Sequence, residues 1–217
     1  MEAGSSPGSV QNSPHSRDFV TGIILAAGTS TRLGRPKQLL DLAGKPVLQH
    51  VIDVLQSAPV AEIVVVLGHR ADEIAAAVPL TGRTRFAVNA DYSAGQSTSF
   101  RTGLRAASDR SRAAVILLGD QPGIRLEAVT GVIESWRGGG AGAVAIQAVY
   151  RGVPGHPVLF DRSLWPELQQ VEGDEGGRGI LAAHPEWRTL VEIGGQPPRD
   201  IDTEDDYARA RAEFEGV

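Results

Sequence analysis

Residues 20–40 read VTGIILAAGTSTRLGRPKQLL, and the order of side chains in this stretch decides the fold. Val20 to Leu25 is an apolar run of strand length that barely alternates, the pattern of a strand buried on both faces. It opens into the small residues Ala26 to Thr31, passes three cations, Arg32, Arg35 and Lys37, and turns apolar again at Leu39. The chain as a whole has net charge −5, so this placement asks for a reason. Small residues let backbone N–H groups approach phosphate oxygens, and fixed cations neutralise them. The loop therefore points to a phosphate-bearing ligand, with a surface turn of incidental basic residues as the alternative. It is not a P-loop: Gly28 and Gly34 are one residue too far apart, and Gln38 follows Lys37 where Ser or Thr is required. Nor does it match the dinucleotide fingerprint.

Outward from the loop, strand-like runs alternate with segments of helical period. IVVVLG (63–68), RFAVN (85–89), AVILLGD (114–120) and AVAIQAV (143–149) read as buried strands. A helix is predicted from Pro46, a favoured first helical residue, with Val47, Leu48, Val51, Ile52 and Leu55 on one face. Others are predicted over 71–78, 97–107 and 125–137, and a last one from about 203, where Thr203 and Asp206 suit a capping box. This alternation predicts an α/β fold, a mainly parallel central sheet with helices on both faces. Ligands of such folds bind at the carboxyl ends of the strands, near the switch in strand order. Three polar features fall at strand ends: the 26–37 loop, Gly68-His69-Arg70 and Gly119-Asp120-Gln121.

Composition narrows the classes further. The chain has no cysteine, which excludes disulfides, thiolate nucleophiles and cysteine-based metal centres; this fits a reducing cytoplasm, the expected location. No apolar run is long enough for a membrane span. MEAGSSPGSVQNSPHSRD (1–18) lacks the apolar centre of a signal peptide and is expected to be a disordered tail, leaving 19–217 as one domain. Four cations against Asp41 between Thr21 and Lys45 contrast with seven acids against two arginines from Asp200 onward. One local cationic loop in an acidic chain argues against a nucleic-acid partner.

ILLGDQP (116–122) places Asp120 beyond a strand too apolar to hold a carboxylate. It either caps a turn before Pro122 or ligates something. Asp202 in RDIDTEDDY (199–207) is a second candidate ligand, although acids are also expected before a helix N-terminus. GQSTS (95–99) comes near the G-x-S-x-G nucleophile elbow, but Ser99 stands where glycine is needed, and a hydrolase is not indicated. Histidines 15, 50, 69 and 184 have no metal-ligand spacing.

ILAAGTSTRLGRPKQLL resembles the LAAGxSxRxGxxK signature of the MobA-like NTP transferases, and within them the molybdopterin cytidylyltransferases. NADYSAGQSTSFRTGL, LLGDQPG, GVPGHPVLF, EGDEGGRGIL and RDIDTEDDY agree in order, so the resemblance covers about residues 19–207. It implies a Rossmann-like three-layer nucleotidyltransferase fold. It implies that Leu25, Ala26, Ala27 and Gly28 surround the base and ribose, that Arg32 and Lys37 hold the triphosphate, and that Asp120, with Asp202, binds Mg²⁺. Gly95 and Ser97 would help define the nucleotide pocket. Arg35 falls in the variable part of the signature. GHPVLF (155–160) and GDEGGRG (173–179) look like the acceptor half: His156 either contacts the acceptor or pairs inside a turn ahead of a strand, and Arg178 either reaches the acceptor phosphate or sits in a linker. The LAAG wording with Ala27, together with GQSTS, favours CTP over GTP.

The activity so implied is Mg²⁺-dependent transfer of CMP from CTP to the phosphate of molybdopterin, with a molybdenum hydroxylase as eventual recipient of the cofactor. A phosphomonoester already carries about −1.5 to −2 charge near neutrality, so no catalytic base is expected; catalysis rests on positioning and charge neutralisation. Transfer from GTP, or to another acceptor such as a sugar phosphate, is the alternative within enzymes. A non-catalytic carrier of the molybdenum cofactor is the alternative from another class.

Overall fold

The structure, a computed structural model, describes residues 19–139, 144–173 and 177–216. The tail expected to be disordered, 1–18, lies outside the described residues. In chain order the elements are β1 (Val20–Ala26), β2 (Asp41–Leu42), β3 (Lys45–Pro46), α1 (Val47–Ser57), β4 (Glu62–Leu67), α2 (Ala71–Ala77), β5 (Thr84–Val88) and α3 (Gln96–Ala106). There follow β6 (Ala113–Leu118), α4 (Leu126–Gly138), β7 (Ala145–Tyr150), β8 (Val153–Asp161), the short α5 (Trp165–Leu168), α6 (Gly177–Ala183), β9 (Arg188–Glu192) and α7 (Glu204–Glu215).

Seven strands form the main sheet in the order β5-β4-β1-β6-β8-β7-β9. All pairs are parallel except those of β8, which runs antiparallel to both β6 and β7. The α/β fold with a mainly parallel sheet is thus the one expected. The non-alternating apolar runs have a simple cause: alternate residues serve two cores. Ile63, Val65 and Leu67 of β4 and Val115 and Leu117 of β6 face a core shared with α1, α2 and α4. Val64, Val66, Ala114 and Ile116 face the opposite core, closed by Phe100 and Leu104 of α3 and by Trp165 and Leu168 of α5. Burying Leu48, Val51, Ile52 and Leu55 of α1, all fully inaccessible, contributes roughly 1.5–3 kcal/mol each before entropy is counted. A third, smaller core packs Leu33 of the cationic loop on Leu40, Leu42, Val47 and Ile201, with Tyr207 and Phe214 of α7 over it.

Three details differ from expectation. The strand β5, expected to be buried on both faces, lies at the sheet edge and is half-buried, with Val88 63% exposed. Pro46 ends β3 and stands just before α1 in an extended conformation, rather than as its first helical residue. Residues 153–161, where a turn ahead of a strand is one of the two readings for His156, are strand throughout. Pro154, Gly155 and Pro157 read as breakers, but β8 is reached through a two-residue turn in which Arg151 and Gly152 both have positive φ, 50° and 81°. Such a turn sets the antiparallel register directly.

The chain runs from β1 outward to β4 and β5, then crosses to the other side of β1 to form β6. The change of direction lies between β1 and β6, and there the carboxyl ends leave a crevice.

Candidate active site

Glycine closes the rear of that crevice on both sides. A Cβ on Gly68, just after β4, would stand 2.8 Å from Cβ of Ala27; one on Gly119, just after β6, would stand 2.7 Å from Cβ of Ala26. Real side chains do not tolerate such contacts, so the three strand ends meet only because these two positions lack one. Gly28 is different. A Cβ there would meet no atom within 4 Å, and the residue faces a cleft of about 350 Å³. The space above Gly28 serves nothing inside the protein and is available to a ligand.

Leu25 to Gly28, Lys37, Gln38, Gly95, Gln96, Gly119 and Asp120 line this cleft, with Tyr92 at its side. The loop that carries Lys37 is folded back by Ser30, whose carbonyl accepts from the N–H groups of Leu33 and Gly34, each at 3.1 Å. The Ser30 hydroxyl accepts from the Lys37 N–H, also at 3.1 Å. Ser30 itself is left-handed, φ 53°, an uncommon state for a non-glycine residue. Leu33 fastens the loop to the small core beneath. Gln38 is buried, its amide N–H donating to the Ala26 carbonyl at 2.8 Å.

Lys37 Nζ lies 2.5 Å from Asp120 Oδ2 and 2.7 Å from Asp202 Oδ1. Arg32, more exposed, donates to Asp202 Oδ2 at 3.3 Å. Distant residues meet here because the Ile201 N–H donates to the Asp120 carbonyl at 3.1 Å, which lays the 200–202 segment beside the end of β6. Asp206, not Asp202, caps α7: its carboxylate accepts from the Thr203 N–H at 2.9 Å while the Thr203 hydroxyl accepts from the Asp206 N–H at 3.2 Å. The cap leaves the Asp202 side chain turned toward Lys37. Burial disfavours the Lys37 ammonium, yet Asp120 and then Asp202 outweigh it and hold its pKa above the ordinary lysine value. Burial pushes the Asp120 carboxyl above its ordinary range despite Lys37. A carboxylate held this way gains from a second positive charge.

Asp120 and Asp202 converge on one ammonium, so their oxygens also suit a single hard cation. Among the described residues no group of three or more His, Asp or Glu forms a metal cluster. One or two carboxylates completed by substrate phosphates are the donor set for a divalent ion such as Mg²⁺ in a phosphate site, and this pair fits it.

A second cavity, about 310 Å³, adjoins the first through Leu25 and Gln96 and is walled by Phe100, Ile116, Val158, Phe160 and Leu181. His156 lines it, as do Gln147 and Arg188, neither of which any motif had marked. The side chain of Arg178 lies outside the described residues. Ser97 does not line the first cleft: it is 1% exposed, and its N–H donates to the Gly173 carbonyl at 3.1 Å. One helical turn carries Gln96 and Ser99 to the cleft instead. Arg35 pairs with Glu204 at 2.9 Å and lies over the Tyr207 ring, holding the loop to α7.

Residues 22–187 match the family described as MobA-like NTP transferase domain. The chain belongs to the MobA-like NTP transferases. Within reach of this family is the nicotine blue oxidoreductase of Paenarthrobacter nicotinovorans, 33% identical over 192 residues, covering 85% of this chain and 92% of that one. A homologue of Mycobacterium tuberculosis Rv0371c from Mycobacterium sp. strain JC1 superposes with TM-score 0.80 at 33% identity, over 93% of this chain and 98% of that one. Rv0371c of M. tuberculosis, solved as a complex with manganese, gives TM-score 0.76 at 29% identity over 91% and 98%. Nucleotidyl transfer is the chemistry that the family's description gives, and the manganese is that of the Rv0371c structure. No described helix is long and apolar enough to cross a membrane.

Proposed function

We propose that this MobA-like transferase moves CMP from CTP to the terminal phosphate of molybdopterin, with Mg²⁺, releasing pyrophosphate. The observation that carries the transfer reading is the meeting of Lys37, Asp120 and Asp202 at the mouth of a cleft floored by Leu25–Gly28. The open space over Gly28 admits the nucleotide's backbone-held part. Lys37 and Arg32 neutralise the triphosphate, and Lys37, held charged by its two carboxylates, cannot act as a base. It need not, because the attacking phosphate oxygen is already deprotonated. That oxygen bonds to the α-phosphorus while the α–β bridging bond breaks, and pyrophosphate carries away the electron pair. A divalent cation held by Asp120 and Asp202 would supply further charge neutralisation as the leaving group departs.

The choice of CTP is supported by the LAAG wording with Ala27. The choice of a ring-bearing acceptor is supported by the apolar second cavity. His156 and Arg178 belong to this acceptor half in the proposal, and delivery to a molybdenum hydroxylase would follow. Incubation of the protein with molybdopterin and each of four NTPs, with and without Mg²⁺, tests it. Pyrophosphate and a product of the mass of the cytidylylated acceptor are expected with CTP alone. Release with GTP alone, or only with a sugar phosphate, overturns the substrate assignment.

A second reading, an oxidoreductase, is favoured by the 33% identity to the nicotine blue oxidoreductase across 92% of that protein. The second cavity would then hold an aromatic redox substrate. The Lys37–Asp120–Asp202 arrangement favours transfer, since electron transfer has no use for converging carboxylates at a phosphate loop. Asp120→Asn separates the two: transfer is lost, whereas reduction of a dye by a nicotinamide dinucleotide would continue.

A further inference from the structure

Among the described residues, the cation of the second cavity, Arg188, meets no counter-charge. The cavity's floor is the α3-side face of β6, β8 and β7 with the edge strand β9. Arg188 of β9 pairs in register with Ala145 of β7, so Arg188, Ala145 and Gln147 stand on one face of the sheet. The orientation of the Gln147 amide is dictated by its neighbours. Its N–H donates to the Gly155 carbonyl and its oxygen accepts from Arg188 Nη1, both at 3.4 Å; reversing the amide would oppose donor to donor and acceptor to acceptor. Arg188 has five N–H donors, and among the described residues no carboxylate lies within ion-pair distance of it. Around it are the apolar walls, in which Phe100 and Phe160 meet edge to face with centroids 5.7 Å apart. A half-buried guanidinium beside apolar surface keeps its remaining donors available to a charged or strongly polar partner.

We propose that Arg188, oriented by Gln147, is a specificity-determining residue that binds a carbonyl or anionic oxygen on the edge of a flat heteroaromatic acceptor whose ring packs against Phe100 and Phe160. This rests on the transferase reading of the adjoining cleft and on the ring-bearing acceptor proposed for it, and adds the residue that selects that ring. A polyol phosphate would leave hydroxyls unpaired against five apolar side chains, each at a cost. A flat ring fills the same space without that cost, and its phosphate-bearing substituent can reach the first cleft past Leu25 and Gln96. The planar fork of Arg188 suits an oxygen in the ring plane, and lysine would not replace it.

The full chain is titrated with pterin-6-carboxylate, a fluorescent flat probe, without metal or nucleotide, and glucose 1-phosphate is then added as competitor. Saturable quenching that glucose 1-phosphate does not reverse is expected. Arg188→Ala and Arg188→Lys are both expected to weaken the probe at least about tenfold, with CTP binding and melting temperature unchanged. In turnover, the same variants raise KM for the acceptor and leave KM for CTP alone. Unaltered probe binding in both variants, or displacement by glucose 1-phosphate, overturns the assignment. Pyrophosphate release with an unchanged acceptor KM in Arg188→Ala overturns it while sparing the transfer reading. Arg188-dependent probe binding with no pyrophosphate from any NTP overturns the transfer reading instead.

Discussion

Lys37 ties together parts of the chain that are far apart in sequence: Asp120 lies 83 residues on and Asp202 165 residues on. Its neighbourhood separates folding from function. Burial raises the Asp120 pKa above the ordinary carboxyl range, so keeping that group ionised at neutral pH works against the fold. Asp120→Asn removes a disfavoured charge but also the chief partner of the buried Lys37 ammonium, so it is expected to leave the melting temperature within a few degrees, roughly the effect of 1 kcal/mol, while lowering kcat roughly 10²–10³-fold, the scale for loss of an electrostatic stabiliser. A calorimetric scan beside a pyrophosphate assay checks both halves. Gly28→Ala should behave in a parallel way. Its new methyl meets no protein atom, so stability should stay within about 0.5 kcal/mol, while CTP affinity, read by titration calorimetry, falls at least about tenfold. Both residues were legible in the sequence because they sit in motifs at strand ends. Ser97 was legible in the wrong place: a motif gives spacing, but the rotation of α3 decides which of its residues faces the cleft.

At the scale of elements, α7 is held by its cap, and the cap also aims Asp202. Thr203→Ala is expected to cost about 0.5–2 kcal/mol of stability and to raise KM for CTP in the same variant, whereas a helix-surface change such as Arg211→Ala should leave KM alone. At the opposite end of the sheet, Glu62 of β4 accepts from the Thr21 hydroxyl at 2.7 Å, the Ser108 N–H at 2.6 Å and Arg85 at 2.6 Å. Burial would raise its pKa, but the Ser108 N–H, the Thr21 hydroxyl and Arg85 together hold it below the ordinary glutamate value. A depressed carboxyl stabilises fully above its unfolded pKa of about 4.3, and the contribution disappears as pH falls through the lower folded value. Melting curves from pH 7 down to pH 3 should show Glu62→Gln less stable at pH 7 and losing less than the parent below the mid-fours. The strands β1, β4 and β6 were readable because burial on both faces leaves an apolar run, whereas the edge strand β5 is only half-buried and was read from the short run Phe86–Val88. The strand β8 was not, because its prolines are permitted by an irregular stretch of pairing with β7 that no local pattern announces.

For the whole molecule, the mainly parallel sheet and its crevice followed from the alternation of strand and helix, since that pattern admits few arrangements. The nucleotide cleft was legible for the same reason: its parts are loops at strand ends. The second cavity was legible only in part: GHPVLF was marked as the acceptor half and His156 does line it, but its other polar residues were missed. Gln147 and Arg188 are single polar residues on strands, and only the strand order that inserts β8 between β6 and β7 brings them to the cavity that Phe100 of α3 also lines. Removal of divalent metal should report on the molecule as a unit: chelation is expected to abolish pyrophosphate release and restoration of Mg²⁺ to recover it, with far-ultraviolet circular dichroism unchanged throughout, because the two carboxylates, already paired with Lys37 and Arg32, do not need the ion to fold. The abutment of Gly68 and Gly119 on Ala27 and Ala26 has a wider consequence. With no slack at the back of the crevice, new substrates among descendants of this chain have to be accommodated by redesign of the rim, in the segments around Arg32, Tyr92 and Arg188, while the rear wall passes from one specificity to the next unaltered.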